Sequence, residues 1–253
     1  MLLDSTLQDF AFDNDDYWWI AGRRAIFTDV LKSYRIDRDA RIVDVGTSSG
    51  TNLRALRESN FRNHIGIELN FSVAKRSNAL RQSLILNGDA IHLPLKTNGV
   101  DVALATDVIE HIPDDRSALK EIHRVLDDDG VALITVPAFE VLWSKHDEVN
   151  GHLRRYRKRQ LTELLQDCDF EVVHTWYFNQ FSFFPALVMR LFGRGRGLGR
   201  QRANTPSRIN NVFLKYFVIE ERLARRLPLP FGVSLAAICK KSGRSLSPVV
   251  LKP

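Results

Sequence analysis

The chain has 253 residues, a hydrophobic fraction of 44%, a charged fraction of 26% and a net charge of +6. That length can bury one substantial core, and the composition excludes a disordered, fibrous or membrane-spanning chain. The positive charge is local: Arg190, Arg194, Arg196, Arg200, Arg202 and Arg208 share a stretch with no acid, which points to a basic loop rather than to general nucleic-acid affinity.

From Asp16 the run Tyr17-Trp18-Trp19-Ile20, followed by Arg23, Arg24, Ile26, Phe27, Val30 and Leu31, predicts an amphipathic helix packed on a sheet edge. Ile42-Val43-Asp44-Val45 reads as a strand that breaks at Gly46-Thr47-Ser48-Ser49-Gly50 into a helix carrying Leu53 and Leu56 on one face. Gly46 and Gly50 let this turn approach a ligand closely, and the helix behind it offers free N–H groups to an anion. His64 to Leu69 is a second strand that ends in Glu68, an acid suited to a pair of ribose hydroxyls. Phe71 to Leu80 is a crossover helix. Leu84 to Ala90 is a third strand ending in Asp89, and Ile91 to Leu95 a proline-bearing loop. A fourth strand, Val100 to Asp107, runs into Val108-Ile109-Glu110-His111.

Asp114 is placed to cap a helix with Ala118, Leu119, Ile122, Val125 and Leu126 inward. Asp127-Asp128-Asp129-Gly130 reads as the turn that ends it, before a fifth strand over 131–136. Strands alternating with helices predict an α/β, Rossmann-like doubly wound sheet with its ligand site at the carboxyl ends of the strands.

These four motifs, in this order and spacing, resemble the class I S-adenosylmethionine-dependent methyltransferases, in particular the small-molecule group with Glu-His after strand four. The resemblance covers about residues 15–177. It implies seven strands, mostly parallel with an antiparallel last strand beside the fifth, and S-adenosylmethionine as cofactor. It also implies that Asp44, Gly46, Ser48 and Gly50 frame the methionine end and that Glu68, with Leu69, holds the ribose. Asp89 and Ala90 would meet the adenine, and Thr106 and Asp107 the methionine. Trp18 and Arg23 would close the site from the N-terminal helix. Ser48 stands where the family usually has its middle glycine.

Pro137 opens a loop rich in Phe139, His146, Asp147, Glu148, His152, Arg154, Arg155 and Tyr156. It resembles a subgroup with a His-Asp-Glu…Gly-His…Arg-Arg-Tyr segment. Leaving the top of strand five, it should overhang the transferred methyl group. His146 and His152 are the candidate general bases, since an imidazole titrates near neutral pH; the plainer alternative is that they only pin the loop. Asp107-x-x-Glu110-His111 has a spacing that some metal-dependent relatives use with a later histidine. Many relatives keep the pair without a metal, and no metal ligand is assigned.

Lys158 to Asp167 predicts a further helix and Phe170 to Tyr177 a sixth strand. A helical insertion over 178–234 follows, before a last strand at 235–240. The insertion comprises the aromatic run Phe178 to Phe192, the Gly/Arg stretch 193–202 and an amphipathic helix from Ser207 to Leu227 with Ile209, Val212, Phe213, Tyr216, Phe217 and Leu223 on one face. Such faces commonly pair with each other or with a second subunit in a homodimer; together with the arginines, this one also suits an anionic membrane surface.

The expected organisation is a single methyltransferase domain, 1–253, with a helical cover over 1–40, a sheet core over 41–177 and 235–241, and the insertion at 178–234. Cys168 and Cys239, far apart in apolar surroundings, read as reduced thiols. With no signal-peptide pattern at the start and no run of about 20 apolar residues, a cytoplasmic protein is expected, at most peripheral to a membrane. The acceptor is expected to be a small molecule, a sugar or a lipid-linked compound, with no nucleic acid. A nicotinamide dehydrogenase would leave the acid after strand three and the Glu-His pair without a role. A non-catalytic protein that binds a partner or membrane through 178–234 is the alternative of another class.

Overall fold

A computed structural model of the chain describes residues 18–79, 84–191, 207–227 and 229–241. The expected irregular N-terminus and the Gly/Arg stretch lie outside these residues. Described side chains begin at residue 21, so the expected role of Trp18 lies outside them too.

Seven strands form one sheet in the order β3-β2-β1-β4-β5-β7-β6. They are β1 (Arg41–Val45), β2 (Asn63–Glu68), β3 (Ile85–Asn87), β4 (Val100–Thr106), β5 (Leu126–Pro137), β6 (Phe170–Phe178) and β7 (Ser234–Lys241). β1 to β5 are mutually parallel, while β7 runs antiparallel between β5 and β6. Central strands covered on both faces should be apolar throughout. Accordingly β1 is buried from Ile42 to Val45 and β4 from Val102 to Ala105.

The helices are α1 (Trp18–Ser33), α2 (Thr51–Glu58), α3 (Phe71–Ala79), α4 (Asp115–Val125), α5 (Lys145–Asn150), α6 (Lys158–Gln166), α7 (Phe183–Leu191) and α8 (Ser207–Arg226). One core lies on the α4 and α6 side of the sheet, where Leu119, Ile122, Val125, Leu161 and Leu165 pack on Ala103, Ile134 and Val136. The other gathers Ile26, Phe27, Leu53, Leu56, Trp176 and Phe217 around Ile42, Leu104 and Ile238. Asp114 caps α4 as expected, its carboxylate accepting from the Ser117 N–H at 2.9 Å. Both cysteines are buried and free.

Three expectations are corrected. The Asp127-Asp128-Asp129-Gly130 run is not a turn between elements but part of β5. Val100 pairs with Leu126 and Val102 with Val131, so the acidic residues bulge out of the ladder. The third strand is short, Ile85–Asn87, and Asp89 sits in an isolated bridge with His92. Finally, α8 does not bury the face that its apolar periodicity suggests. Phe217 is buried, but Val212, Phe213, Tyr216 and Leu223 are exposed.

The buried face of α8 instead carries Phe217, Glu220, Glu221 and Ala224, because the helix docks on α1 and β6 through polar contacts. Arg222 donates to Asp29 at 2.7 Å, Arg225 also pairs with Asp29, and the Trp176 indole N–H donates to Glu221 at 3.2 Å. The helices approach so closely that a Cβ at Gly22 would stand 2.4 Å from the Phe217 ring. The α8 helix therefore braces α1, which packs on this face of the sheet and sends Arg23 to Asp107 and Thr135 near the carboxyl ends of β4 and β5.

Candidate active site

The loop after β1 is held in one shape by its own backbone. Gly46, Ser48 and Gly50 all have positive φ, at 68°, 52° and 81°. The N–H groups of Gly46 and Thr47 both donate to the Ile67 carbonyl, at 2.9 and 3.0 Å. Such close packing on β2 requires Gly66, where a Cβ would meet Thr47 at 2.5 Å. Ser48 thus adopts a left-handed conformation natural to glycine, at a cost of about 1 kcal/mol.

Asp44 is fully buried beneath this loop. It accepts from the Thr47 hydroxyl at 2.6 Å and the Asn52 amide at 3.0 Å, and burial pushes its carboxyl up to about 6. Asn52 also donates to the Thr106 hydroxyl at 2.9 Å, which joins β1, α2 and β4. Asp44 therefore orders the loop from below. Glu68, at the end of β2, accepts from the Ser48 N–H at 2.9 Å and the Asn70 N–H at 2.8 Å. A carboxylate has about four lone-pair directions, so both oxygens keep capacity for a diol. Leu69 beside it is exposed. Asp89 accepts from the Ile91 N–H at 3.1 Å, and Ala90, next to it, packs partly buried against the core.

At the opposite flank Arg23 reaches down from α1. It pairs with Asp107 and donates to the Thr135 hydroxyl at 3.2 Å, while that hydroxyl donates to Asp107 at 3.3 Å. Burial lowers the Arg23 pKa to about 10, still well charged at neutral pH. Behind this bridge a small cavity runs under α1. Arg23, Asn52, Thr106 and Thr135 line its polar end, and Ile26, Phe27, Leu133, Trp176, Phe178 and Ala236 its apolar end.

The segment after β5 is compact. A 3₁₀ turn at Glu140–Leu142 leads into α5, which starts with a capping box between Ser144 and Asp147. Asp147 is fully buried and accepts five hydrogen bonds: Ser144 N–H (2.9 Å) and hydroxyl (3.0 Å), His152 Nδ1 (2.9 Å), Arg155 Nε (2.8 Å) and Nη2 (3.0 Å). His152 and Arg155 are thus fixed by one carboxylate. His146 faces outward, its Nε2 2.9 Å from the Asn150 amide. The two candidate bases therefore differ: His152 is oriented from within, whereas His146 is tied to the surface of α5.

The Leu153 N–H donates to the Glu110 carbonyl at 2.8 Å, which draws the end of this segment onto the turn after β4. Glu110, His111 and His152 consequently come together, with the two imidazole rings 4.7 Å apart and edge to face. Asp107 is not in this group, because Arg23 holds it. The Glu110 carboxyl is fully buried and neither oxygen has a hydrogen-bond partner; burial pushes its pKa up to about 8. Although part of its ring is exposed, desolvation by the neighbouring protein pushes the His111 pKa down to about 4, with His152 beside it adding to the effect. Sequence reasoning had not assigned Asp147 or Glu110 to a role. Their clues were only the capping-box pattern at 144–147 and the Glu-His pair.

The methyltransferase domain family matches residues 19–175. The chain is 30% identical over 109 residues to 2-methyl-6-phytyl-1,4-hydroquinone methyltransferase of Arabidopsis thaliana, covering 42% of this chain and 32% of that one. It is 36% identical over 93 residues to a Mycolicibacterium smegmatis protein described as an S-adenosylmethionine-dependent methyltransferase, covering 36% of each. These matched stretches thus span about a third of the length of either relative. A chain in the solved complex between the Haloferax volcanii Trm112 methyltransferase activator and a methyltransferase shares the fold, with a TM-score of 0.62, 17% identity, and coverage of 97% of this chain and 98% of that one. With the sheet order, the strand-end motifs and the family match in agreement, this chain belongs to the methyltransferase domain family of S-adenosylmethionine-dependent, class I type.

Proposed function

We propose that the protein transfers a methyl group from S-adenosylmethionine to a small acceptor bound between the segment after β5 and the strand ends. The observation that carries the reading is the loop Gly46–Gly50, fixed on β2 and joined to Glu68 through the Ser48 N–H. It places two acceptor oxygens and an open helix N-terminus at the carboxyl end of the sheet. Asp44 and Asn52 set the loop, Glu68 holds the ribose diol, Asp89 and Ala90 flank the adenine, and Thr106 and Asp107 bound the methionine end beneath Arg23. Catalysis comes mainly from aligning acceptor and donor in line. The acceptor's proton departs to Nε2 of His152, whose Nδ1 is held by Asp147, with Glu110 and His111 beside it; His146 is assigned no proton transfer.

The acceptor is proposed to carry an apolar part. Phe181, Phe184, Val188, Phe213 and Tyr216 are exposed on the insertion, and Arg190 of α7 donates to the Leu142 carbonyl at 3.2 Å, which ties that helix to the acceptor-side segment. The Arabidopsis relative is named for a phytyl hydroquinone, a compound of this amphiphilic kind. Calorimetric titration with S-adenosylmethionine, S-adenosylhomocysteine and a nicotinamide dinucleotide tests the cofactor. Micromolar binding of the first two alone is expected, and no binding of either would refute the reading. Flotation with anionic liposomes tests the apolar surface. Equal recovery with and without liposomes would remove membrane contact from the proposal.

A further inference from the structure

Glu110, His111 and His152 meet although the third lies far beyond the first two in sequence. One ligand atom from each lies within 4.8 Å of the others. Each histidine has one nitrogen already committed. His111 Nδ1 donates to the Gly151 carbonyl at 3.3 Å, and His152 Nδ1 donates to the buried Asp147 carboxylate at 2.9 Å. Both rings therefore leave Nε2 as the nitrogen with a free lone pair. Metal-ligating histidines are typically arranged this way, with the second nitrogen donating to a carboxylate or a backbone carbonyl that fixes the tautomer.

Glu110 supplies the independent observation. It is fully buried, yet neither carboxylate oxygen has a hydrogen-bond partner. A buried carboxyl without partners costs several kcal/mol unless something compensates it. Two neutral imidazoles and a carboxylate are a ligand set that suits zinc and similar divalent cations and leaves further positions open. We propose that Glu110, His111 and His152 form a divalent-cation site, held from behind by Asp147 and the Gly151 carbonyl.

Asp107, the acid that the sequence spacing would have offered as a ligand, is excluded because Arg23 and Thr135 occupy it. A bound cation would act as a Lewis acid toward an acceptor oxygen, and His152 would then be its ligand, so the proton acceptance proposed above belongs to the metal-free protein. The site stands on these three side chains and not on the methyl-transfer reading, so either can fail alone.

The test is calorimetric titration of the full chain, freed of metal by a chelator, with Zn²⁺. Saturable binding of one equivalent is expected. It should be lost or strongly weakened in His111→Gln, whose exposed position tolerates the change, and in His152→Gln. Asp147→Asn should keep the three ligands and weaken binding by about 10–100-fold. His92→Gln, at a histidine outside the cluster, should leave binding unchanged. Circular dichroism of each variant reports the fold independently of any ligand. The absence of saturable Zn²⁺ binding to the folded wild type would overturn the site, as would affinity unchanged in folded His111→Gln and His152→Gln.

Discussion

Replacing Arg155 with methionine isolates the interaction that builds the acceptor side. Asp147 is fully buried and the Arg155 side chain is 6% exposed, so the pair is screened by neither water nor salt. The substitution removes two charge-assisted bonds, at 2.8 and 3.0 Å, and a third bond from Arg155 to the Ala138 carbonyl at 3.0 Å. Breaking a buried ion pair from one side typically costs about 3–5 kcal/mol, because the remaining charge is left uncompensated. Asp147 keeps three of its five donors, so the lower end, about 3 kcal/mol, is expected. Urea unfolding at neutral pH, followed by tryptophan fluorescence, measures it. The double variant Asp147→Asn/Arg155→Met should be less destabilised than Arg155→Met alone, since no charge is then stranded. The pH dependence has a fixed sign. Although burial raises the Asp147 pKa, its hydrogen bonds to His152 and Arg155 outweigh that and hold the carboxyl below its ordinary range. Its stabilisation is therefore present above the unfolded pKa of about 3.9 and is lost as pH falls through the lower folded value. The difference between wild type and Arg155→Met should shrink below about pH 4. A loss under about 1 kcal/mol at neutral pH, the size of an exposed pair, would refute the reasoning.

Glu68→Ala should weaken S-adenosylmethionine binding at least about tenfold, roughly 1.4 kcal/mol, read by calorimetry; unchanged affinity would remove Glu68 from the site. Ser48→Gly relieves a left-handed serine but frees the unfolded chain, so a net stabilisation of at most about 1 kcal/mol is expected by urea unfolding. Ile122→Ala, on the fully buried face of α4, should cost about 2–5 kcal/mol in the same assay. Burial pushes Glu221 up to about 7, so the folded state holds a proton that the unfolded chain releases near pH 4.3. Stability should fall as pH rises between those values, by at most about 1.4 kcal/mol per unit from this group, and Glu221→Gln should flatten that slope.

The sequence alone determined the order of the elements and the class of the fold. β-branched runs, glycine turns and helical periodicity are local signals, and β1, α2, β2, β4, α4 and β7 follow them, while the antiparallel direction of β7 came from the family resemblance. That Asp44, Glu68 and Thr106 stand at the carboxyl ends of their strands was legible for the same reason, whereas Asp89 lies beyond the short β3. Local reading failed where pairing with a distant strand decides the outcome. The Asp127–Gly130 run has turn composition, but β4 and β1 capture it, and Arg41 donates to Asp101 and Asp127 across that edge. The apolar stripe of α8 likewise predicted the wrong buried face, because Asp29 of α1 and Trp176 of β6 select Glu221, Arg222 and Arg225 instead. Only the tertiary structure made one cluster of Glu110, His111 and His152, and it also took Asp107 away from that cluster. Both results depend on contacts between residues far apart in the chain, Leu153 on Glu110 and Arg23 on Asp107, which no local pattern encodes.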